Sequence, residues 1–357
     1  MVQVKNMKQR SYIMLYFEND YCEGAHEAIL KRLMETNMEK VPGYGQDPFC
    51  DKAKEKIKEA CGCPDGEVYF LVGGTQTNAV VIASVLNRYE GVLSAVTGHV
   101  NAHEAGAIEF TGHKVLPLPQ DNGKISAADL KDYLQTYYTD GSYDHMVFPG
   151  MVYISHPTEY GTLYTKQELA DISSVCREYE IPLFLDGARL GYGLGSVKND
   201  LTLEKMAELT DVFYIGGTKC GALFGEALVI TNKKLARKFR TYMKQNGAVL
   251  AKGWLLGMQF CALLEDDTYE KMTAQADAYA LEIKAAFKEK GIREYVDSYT
   301  NQLFVILTEE QAEVLGKEYT FEHQQDLADG SKVVRFCTSW ATTEAEKDQL
   351  IRDIRAL

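Results

Sequence analysis

The chain has 357 residues, which is enough for one large domain and a smaller one. Hydrophobic residues make up 46% of the sequence and charged residues 25%, as in an ordinary globular protein. The formal net charge of −13 argues against a nucleic-acid-binding protein, because the phosphate backbone attracts clustered Lys and Arg. The sequence contains no run of about 18 apolar residues that could cross a membrane, and its N-terminus lacks the apolar core of a secretory signal.

The eight cysteines are scattered along the chain. We expect them to be reduced thiols of a cytoplasmic protein, since disulfides are rare in that compartment. Cys61 and Cys63 have a single residue between them, which is the wrong spacing for a zinc knuckle. The sequence therefore predicts no metal site.

Residues 1–50 are expected to form an N-terminal arm. They are rich in Tyr and Gly and end in the turn-dense segment VPGYGQDPF. This pattern predicts irregular structure that wraps over another surface rather than a packed helix.

Residues 51–250 alternate between helical and strand patterns. The spacing of apolar residues predicts helices from Asp51 to Ala60 and from Thr75 to Leu86, with a strand from Val68 to Val72 between them. Thr165 and Glu168 have the spacing of a capping box, which predicts a helix running to about Tyr179. Such alternation indicates a large α/β domain with a mainly parallel sheet between helices.

Residues 251–357 have a different pattern. Long helical stretches follow Gly253, and strand-like runs then appear at Leu303–Leu307 and Val333–Cys337. This order predicts a smaller α+β C-terminal domain.

Two short apolar runs each end in a charged group. The first, residues 182–185, ends in Asp186, and the second, residues 212–215, is followed by Gly216-Gly217-Thr218-Lys219. Strands that deliver such groups to the carboxyl edge of a sheet are where α/β proteins place their ligand chemistry. An acid on one strand and a lysine after the next suggest a pyridoxal phosphate site. The lysine would form a Schiff base with the cofactor aldehyde, and the acid would pair with the protonated pyridine nitrogen. The alternative is an ordinary acid and base at the starts of two loops.

The segment Gly73-Gly74-Thr75-Gln76-Thr77-Asn78 lies between a predicted strand and a predicted helix. Backbone N–H groups at a helix start can hold a phosphate, and glycine permits its close approach. A plain glycine turn capped by Thr75 is the alternative. A nicotinamide fold would show G-x-G-x-x-G here, and this chain does not.

Over nearly its whole length the chain resembles the L-threonine aldolase and aromatic amino acid β-eliminating lyase family. The motifs that carry this resemblance are GGTQTN, GHVNAHEAGAIEFTGHKV, YISHPTEYGTLYT, LDGARLG and GGTKCG. The resemblance implies pyridoxal phosphate as cofactor and the aspartate aminotransferase-type fold (fold type I). It also implies a catalytic dimer, often doubled to a tetramer, and an amino acid substrate.

The resemblance assigns roles to individual residues. Lys219 matches the Schiff-base lysine and Asp186 the partner of the pyridine nitrogen. The remaining matches are to residues around the cofactor and the substrate: Gly74 and Thr75 at the phosphate, Thr218 at the cofactor, His99 as a catalytic residue stacked on the ring, Arg189 and Arg335 on the substrate carboxylate, Asn19 where many relatives carry serine, and His145 as a catalytic residue near a second family histidine close to the substrate hydroxyl. Tyr44 and Lys252 are expected to reach the site of a neighbouring subunit, Tyr44 at the substrate and Lys252 at the phosphate.

The chain also departs from the better-studied branch of this family. Its phosphate loop reads GGTQTN instead of SGTMGN, the segment before Glu159 lacks Glu-Asn-Thr-His, and His103 stands where relatives vary. Substrate preference is therefore open between a low-specificity L-threonine aldolase, a phenylserine aldolase and a β-eliminating lyase. A protein that binds the cofactor without turnover is the alternative from another class. The base that removes the β-hydroxyl proton is a histidine or a water held by one.

Overall fold

The computed structural model describes residues 14–357. The strands, in chain order, are β1 (Leu15–Tyr16), β2 (Glu67–Leu71), β3 (Glu90–Ala95), β4 (Lys114–Leu118), β5 (Phe148–Ser155), β6 (Leu183–Asp186), β7 (Val212–Gly216), β8 (Glu226–Ile230), β9 (Glu294–Val296), β10 (Gln302–Leu307), β11 (Tyr319–Thr320), β12 (Glu322–Asp326) and β13 (Lys332–Cys337).

The helices alternate with these strands in the first two thirds of the chain. They are α1 (Glu27–Thr36), α2 (Pro48–Ala60), α3 (Gly74–Val85), α4 (His99–Ala102), α5 (Ala107–Phe110), α6 (Ala127–Thr139), α7 (Lys166–Glu178), α8 (Leu190–Gly195), α9 (Leu203–Leu209), α10 (Phe239–Gln245), α11 (Trp254–Leu263), α12 (Thr268–Glu289), α13 (Glu309–Leu315) and α14 (Glu344–Ala356). A short 3-10 helix, Tyr143–His145, precedes β5.

A seven-stranded sheet forms the centre of the fold, in the order β2-β8-β7-β6-β5-β3-β4. Strand β8 runs antiparallel to both of its neighbours, and the other six strands are parallel to one another. Apolar clusters cover both faces of this sheet, so β6, β7 and β8 are buried along their full lengths. The predicted mainly parallel sheet between helices is confirmed.

Side-chain caps explain where two of the predicted helices begin. The Asp47 carboxylate accepts the backbone N–H of Cys50 at 2.9 Å, and Pro48 occupies the first turn of α2. At α7, Thr165 and Glu168 make both hydrogen bonds of the predicted capping box. The predicted elements at 51–60, 68–72, 75–86 and 165–179 all exist, with ends shifted by at most three residues.

The prediction that the N-terminal arm has no packed helix is wrong. Helix α1 runs from Glu27 to Thr36 and buries Ile29 in the cluster around the large sheet. At the start of α1, Nδ1 of the His26 ring accepts a hydrogen bond from the backbone N–H of Ala28 at 3.3 Å. The neighbouring Tyr and Gly residues obscured this short amphipathic pattern, since only one face of α1 is apolar.

A second core lies around the four-stranded antiparallel sheet β12-β13-β10-β9. The last part of α12 packs there with α14, and Phe17 from the start of the chain joins them. Helix α11 is almost entirely apolar and packs with the large sheet, although it follows the predicted division at residue 250. The packing thus places the change between the two cores within α12.

Candidate active site

A cavity of about 250 Å³ opens at the carboxyl edge of the large sheet. Strands β6 and β7 are parallel neighbours, and they end at this edge in Asp186 and Gly216. Gly187 follows Asp186, and a Cβ there would sit 1.9 Å from the Tyr214 carbonyl oxygen. Glycine is therefore required for the chain to leave β6 so close to β7.

The cavity brings together most of the residues that the sequence singled out. Its walls include the predicted residues Gly74, Thr75, His99, Asp186, Arg189, Thr218 and Lys219. The same cavity is not lined by Asn19, Tyr44, His145, Lys252 or Arg335.

Asp186 is buried and accepts hydrogen bonds on both oxygens. Tyr153 O–H donates to Oδ2 at 2.6 Å and Asn78 Nδ2 at 2.9 Å, while Tyr214 O–H and the Ala188 N–H donate to Oδ1 at 2.5 and 2.9 Å. Burial alone would raise the pKa of Asp186, but the nearby His99 and the two tyrosine hydroxyls hold it below its usual value. The group is thus an ionised, fixed carboxylate at the wall of the cavity.

Lys219 lines the same cavity as Asp186 and is partly buried. Burial of the amine, with the positive charge of Arg189 nearby, lowers the pKa of Lys219. Among the described residues 14–357, no hydrogen bond or ion pair engages its Nζ. A lowered pKa favours the neutral amine, which is the form that reacts with a carbonyl group.

The N-terminus of α3 is open toward the cavity. Gly73 stands at the cap position without a side-chain hydrogen bond to the helix, and no atom lies within 4 Å of where its Cβ would be. The first N–H groups of the helix therefore lack a side-chain cap and have room in front of them. The local geometry suits an anion such as phosphate.

His99 belongs to a chain of hydrogen bonds that reaches Asp186. Its Nδ1 lies 2.8 Å from Oε1 of the buried Glu104, and that oxygen also accepts from Asn78 Nδ2 at 2.8 Å. The backbone N–H of His99 donates to Glu159 Oε1 at 2.9 Å. These contacts fix the ring at the cavity wall and leave Nε2 outside the Glu104 bond.

Arg189 forms a buried two-pronged ion pair with Asp20. Its Nε donates to Oδ2 at 2.7 Å and its Nη2 to Oδ1 at 2.9 Å, and Asn301 Nδ2 donates to the same carboxylate at 2.9 Å. One edge of the guanidinium is thus already occupied, which the sequence did not indicate. A substrate carboxylate would have to use the other edge, which is formed by Nη1 and the second N–H of Nη2.

Arg335 lies near the cavity without lining it. It pairs with Glu322 on the neighbouring strand, and its Nη2 donates to the Glu18 carbonyl oxygen at 3.0 Å. Asn19 is partly buried, and its side-chain Oδ1 accepts the backbone N–H of Tyr21 at 3.0 Å. Tyr21 itself borders the cavity, so the segment 18–21 connects Arg335 to the site.

The structure does not bring His145 into this cavity, which corrects the prediction of a catalytic role. His145 belongs to the 3-10 helix before β5, whereas the cavity lies beyond the other end of that strand. A strand of eight residues separates the two by about 25 Å. The His145 side chain is 81% exposed and faces a separate cavity with Tyr133 and Tyr137.

Tyr44 and Lys252 are exposed on the protein surface outside the cavity. The Tyr44 N–H donates to the Ala251 carbonyl oxygen at 3.2 Å, so the two candidates are close together. Tyr44 has φ +64°, a left-handed conformation that is uncommon for a residue with a side chain. This chain alone therefore gives neither residue a contact with the cavity.

Glu226 braces the loop that carries the lysine. Its Oε2 accepts the Gly217 N–H at 3.0 Å and its Oε1 accepts the Thr218 hydroxyl at 2.8 Å. The Thr218 oxygen in turn accepts the Gly225 N–H at 3.0 Å. Because the Thr218 hydroxyl already donates to Glu226 within the loop, donating to the cofactor, as predicted, would require this bond to break.

Burial raises the pKa of Glu226 to about 7. The folded state then binds the carboxyl proton of Glu226 more tightly than the unfolded state does. The resulting contribution to the free energy of unfolding is fully present below pH 4.5 and is lost as the pH rises through 7. We expect a loss of about 3 kcal/mol across this window for the cofactor-free protein. Chemical unfolding of the wild type and Glu226→Gln at about pH 5 and pH 8 measures it. Equal pH dependence in the two proteins would show that Glu226 does not titrate in this window.

Sequence reasoning missed several residues around Asp186. Asn78, Tyr153 and Tyr214 hold the carboxylate, but each comes from a different element. A signal existed in each case: Asn78 interrupts the apolar pattern of α3, and each tyrosine lies two residues before the end of a buried strand. Residues two apart face the same side of a strand. Each tyrosine therefore lies on the same side as the residue that ends its strand at the cavity edge.

The chain belongs to the family described as beta-eliminating lyase, which matches residues 19–310. The low specificity L-threonine aldolase of Pseudomonas sp. (strain NCIMB 10558) is 31% identical over 324 residues, which cover 88% of this chain and 89% of that protein. The low specificity L-threonine aldolase of Pseudomonas aeruginosa is 30% identical over 349 residues, 95% of this chain and 96% of that one. The predicted family is confirmed.

Solved structures agree with this assignment. A threonine aldolase from Leishmania major is 44% identical and superposes with a TM-score of 0.93, covering 96% of this chain and 99% of that one. The histidinol-phosphate aminotransferase from Clostridium acetobutylicum has a TM-score of 0.73 at 14% identity, with coverage of 96% and 98%. At that identity the likeness concerns the fold alone, which this chain shares with aminotransferases.

Proposed function

We propose that this protein is a pyridoxal-phosphate-dependent lyase of the low-specificity L-threonine aldolase type. It would cleave a β-hydroxy-α-amino acid to glycine and an aldehyde. The observation that carries the proposal is the cavity whose wall holds both a partly buried lysine and an ionised, hydrogen-bonded aspartate. The names of the relatives with matching length favour the same reaction.

The residues present fit the cofactor. Asp186 is a fixed anion suited to the pyridine nitrogen, Lys219 is a buried amine suited to the aldehyde, and the uncapped start of α3 is suited to the phosphate. When bound, pyridoxal phosphate supplies an electron-withdrawing ring in conjugation with the substrate Cα. By keeping Asp186 ionised, its four donors would keep that ring protonated.

Positioning of the substrate decides which bond breaks. Arg189 is held rigidly by Asp20, and Arg335 lies near Tyr21 at the cavity border. These two guanidinium groups would fix the substrate carboxylate and so turn the Cα–Cβ bond perpendicular to the ring plane. Glu322 must release Arg335 for this contact, because the two are paired here.

Proton removal from the β-hydroxyl requires a base beside the cavity. His99 has Nδ1 bonded to Glu104, and its ring centroid is 5.8 Å from that of His103. Burial and the nearby His99 lower the pKa of His103, which favours its neutral, proton-accepting form. We therefore propose as base His99, which lines the cavity, or a water held by His99 or by the exposed His103.

Two other functions remain as alternatives. A β-eliminating lyase would use the same residues and release ammonia and a keto acid. A phenylserine aldolase would release glycine and benzaldehyde. A purified protein assayed with L-threonine, L-allo-threonine and phenylserine separates these cases. We expect glycine from all three, whereas a protein that binds the cofactor and consumes none of them would contradict the proposed function.

We further propose that the protein is a homo-oligomer, a dimer or a tetramer, in the cytoplasm. Within residues 14–357, no helix is long and apolar enough to cross a membrane. The eight cysteines are free thiols, in keeping with a reducing compartment. Tyr44 and Lys252 would cross into the cavity of a neighbouring subunit, since both are exposed and adjacent on one surface.

Mixing two inactive variants tests the shared site. Tyr44→Ala and Lys219→Ala should complement each other, because a hybrid dimer has one site with an intact lysine and an intact partner tyrosine. Random mixing should restore about a quarter of the wild-type activity. The matched control mixes Lys219→Ala with Asp186→Ala, both within one site, and should restore none. An active monomer, or no recovery with an inactive Tyr44→Ala, would contradict the shared site.

A further inference from the structure

The turn that ends α2 places two thiols side by side. Cys61 is the C-terminal cap of the helix, and Gly62 follows with φ +57°. The chain thus folds back, and the Cys63 N–H donates to the Lys58 carbonyl oxygen at 3.0 Å. The left-handed conformation of Gly62, the residue between the two cysteines, keeps their Cα atoms within the separation that a disulfide needs.

The two thiols have unlike environments. Cys61 is buried in the cluster around the large sheet, whereas Cys63 is only partly covered. A hydrogen bond from Cys61 lowers the pKa of Cys63 to about 7, and Lys58 acts in the same direction against the effect of burial. The same bond, with burial and the charge of Glu204 nearby, raises the pKa of Cys61. The pair thus combines a nucleophilic thiolate with an adjacent protonated thiol.

We propose that Cys61 and Cys63 form a dithiol site that a peroxide oxidises reversibly to an intramolecular disulfide. The Cys63 thiolate attacks one oxygen of hydrogen peroxide, which gives a sulfenic acid and releases hydroxide. The Cys61 sulfur then attacks the Cys63 sulfur, its proton leaves with the hydroxyl group as water, and the S–S bond forms. Two electrons pass from the thiols to the peroxide, and a dithiol reductant reverses the change.

The site is separate from the cavity described above. Neither cysteine lines that cavity, and the turn lies at the beginning of β2, whereas Gly73 and Gly74 follow its end. Side chains of α9 cover the turn, since a Cβ on Gly62 would lie 3.3 Å from Cγ of Glu204. Cys63 is therefore partly covered but remains accessible to a small oxidant and to a small dithiol reductant.

Cys22 is an internal control for the reactivity of the Cys63 thiol. It is exposed, whereas Cys63 is half-buried, so accessibility alone would make Cys22 react first. Burial, with the charge of Glu23, nevertheless raises the pKa of the Cys22 thiol. At pH 7 about half of Cys63 is thiolate, whereas the raised pKa of Cys22 lowers its thiolate fraction, and the lower nucleophilicity of the weaker base removes part of this difference. We expect Cys63 to be alkylated roughly several times faster than Cys22.

Peptide mass spectrometry measures both parts of the proposal on the intact, cofactor-loaded protein. Trypsin releases residues 59–88 with Cys61 and Cys63 as its only cysteines, and residues 11–31 with Cys22 alone. Brief iodoacetamide treatment should label the first peptide before the second. Hydrogen peroxide should remove two hydrogens from the first peptide, and dithiothreitol should restore them.

Variants separate this result from general oxidation. Cys63→Ser and Cys61→Ser should each abolish the loss of two hydrogens, and Cys22→Ser should leave it unchanged. Cys61→Ala should also slow alkylation of Cys63 at pH 7, because it removes the hydrogen-bond donor that lowers the pKa of Cys63. Faster labelling of Cys22 than Cys63, or addition of oxygen to Cys63 without disulfide formation in the wild type, would overturn the proposal.

Discussion

Lys219→Ala should abolish both the colour and the activity of the protein. The wild type should be yellow, because the cofactor joined to Lys219 absorbs visible light, and the variant should lose that band after desalting. Turnover should fall by about three decades or more, since no other described residue offers a buried amine in the cavity. Absorption spectra and an assay of glycine release measure the two effects.

An exposed lysine is the control for this prediction. Lys271 forms an ion pair at the surface with Asp267, and Lys271→Ala should retain the band and the activity. Borohydride reduction of the wild type should leave the cofactor mass on the peptide that contains Lys219. A colourless wild type that takes up no pyridoxal phosphate, or a label on a different lysine, would end this assignment.

Asp186→Ala should lower turnover far more than it lowers stability. Removing the partner of a buried charged nitrogen costs about 3–5 kcal/mol, which corresponds to about two to four decades in rate. The variant also leaves Asn78, Tyr153 and Tyr214 without their shared acceptor, so part of the loss could come from misfolding.

Asp186→Asn separates these two causes. The amide keeps the size of the side chain and one acceptor oxygen, so most of the packing around it remains. We expect a thermal unfolding midpoint closer to that of the wild type than Asp186→Ala shows, together with a turnover still reduced by at least about two decades. Near-normal turnover in Asp186→Asn would show that the negative charge has no role in the reaction.

The parts of the site that lie on single strands could be predicted from the sequence. Asp186 and the lysine loop each follow an uninterrupted apolar run, and the adjacent parallel strands β6 and β7 bring the two ends together. The proposed phosphate site was also indicated locally, since Gly73 follows β2 and Gly74 and Thr75 begin α3. In each case the sequence pattern is local, and the parallel sheet brings the separate strand ends to one edge.

Contacts between distant segments could not be predicted in the same way. Arg189 pairs with Asp20, which lies 169 positions earlier, and Asn301 completes that pair from the second core. Nothing in the local pattern of segment 17–20 indicates a buried carboxylate. The wrong prediction for His145 has the same cause. Its position depends on the length of β5 and on a short 3-10 helix that no sequence pattern indicated.

The reaction of L-threonine labelled with carbon-13 at C2 tests the proposed function most directly. Cleavage of the Cα–Cβ bond places the label in glycine, with one acetaldehyde formed for each glycine. β-Elimination places it in 2-oxobutyrate, with one ammonia released. Carbon-13 NMR of the reaction with the cofactor-loaded wild type distinguishes the two products in one spectrum. We predict labelled glycine that disappears in Lys219→Ala, and labelled 2-oxobutyrate without glycine would contradict the proposed aldolase.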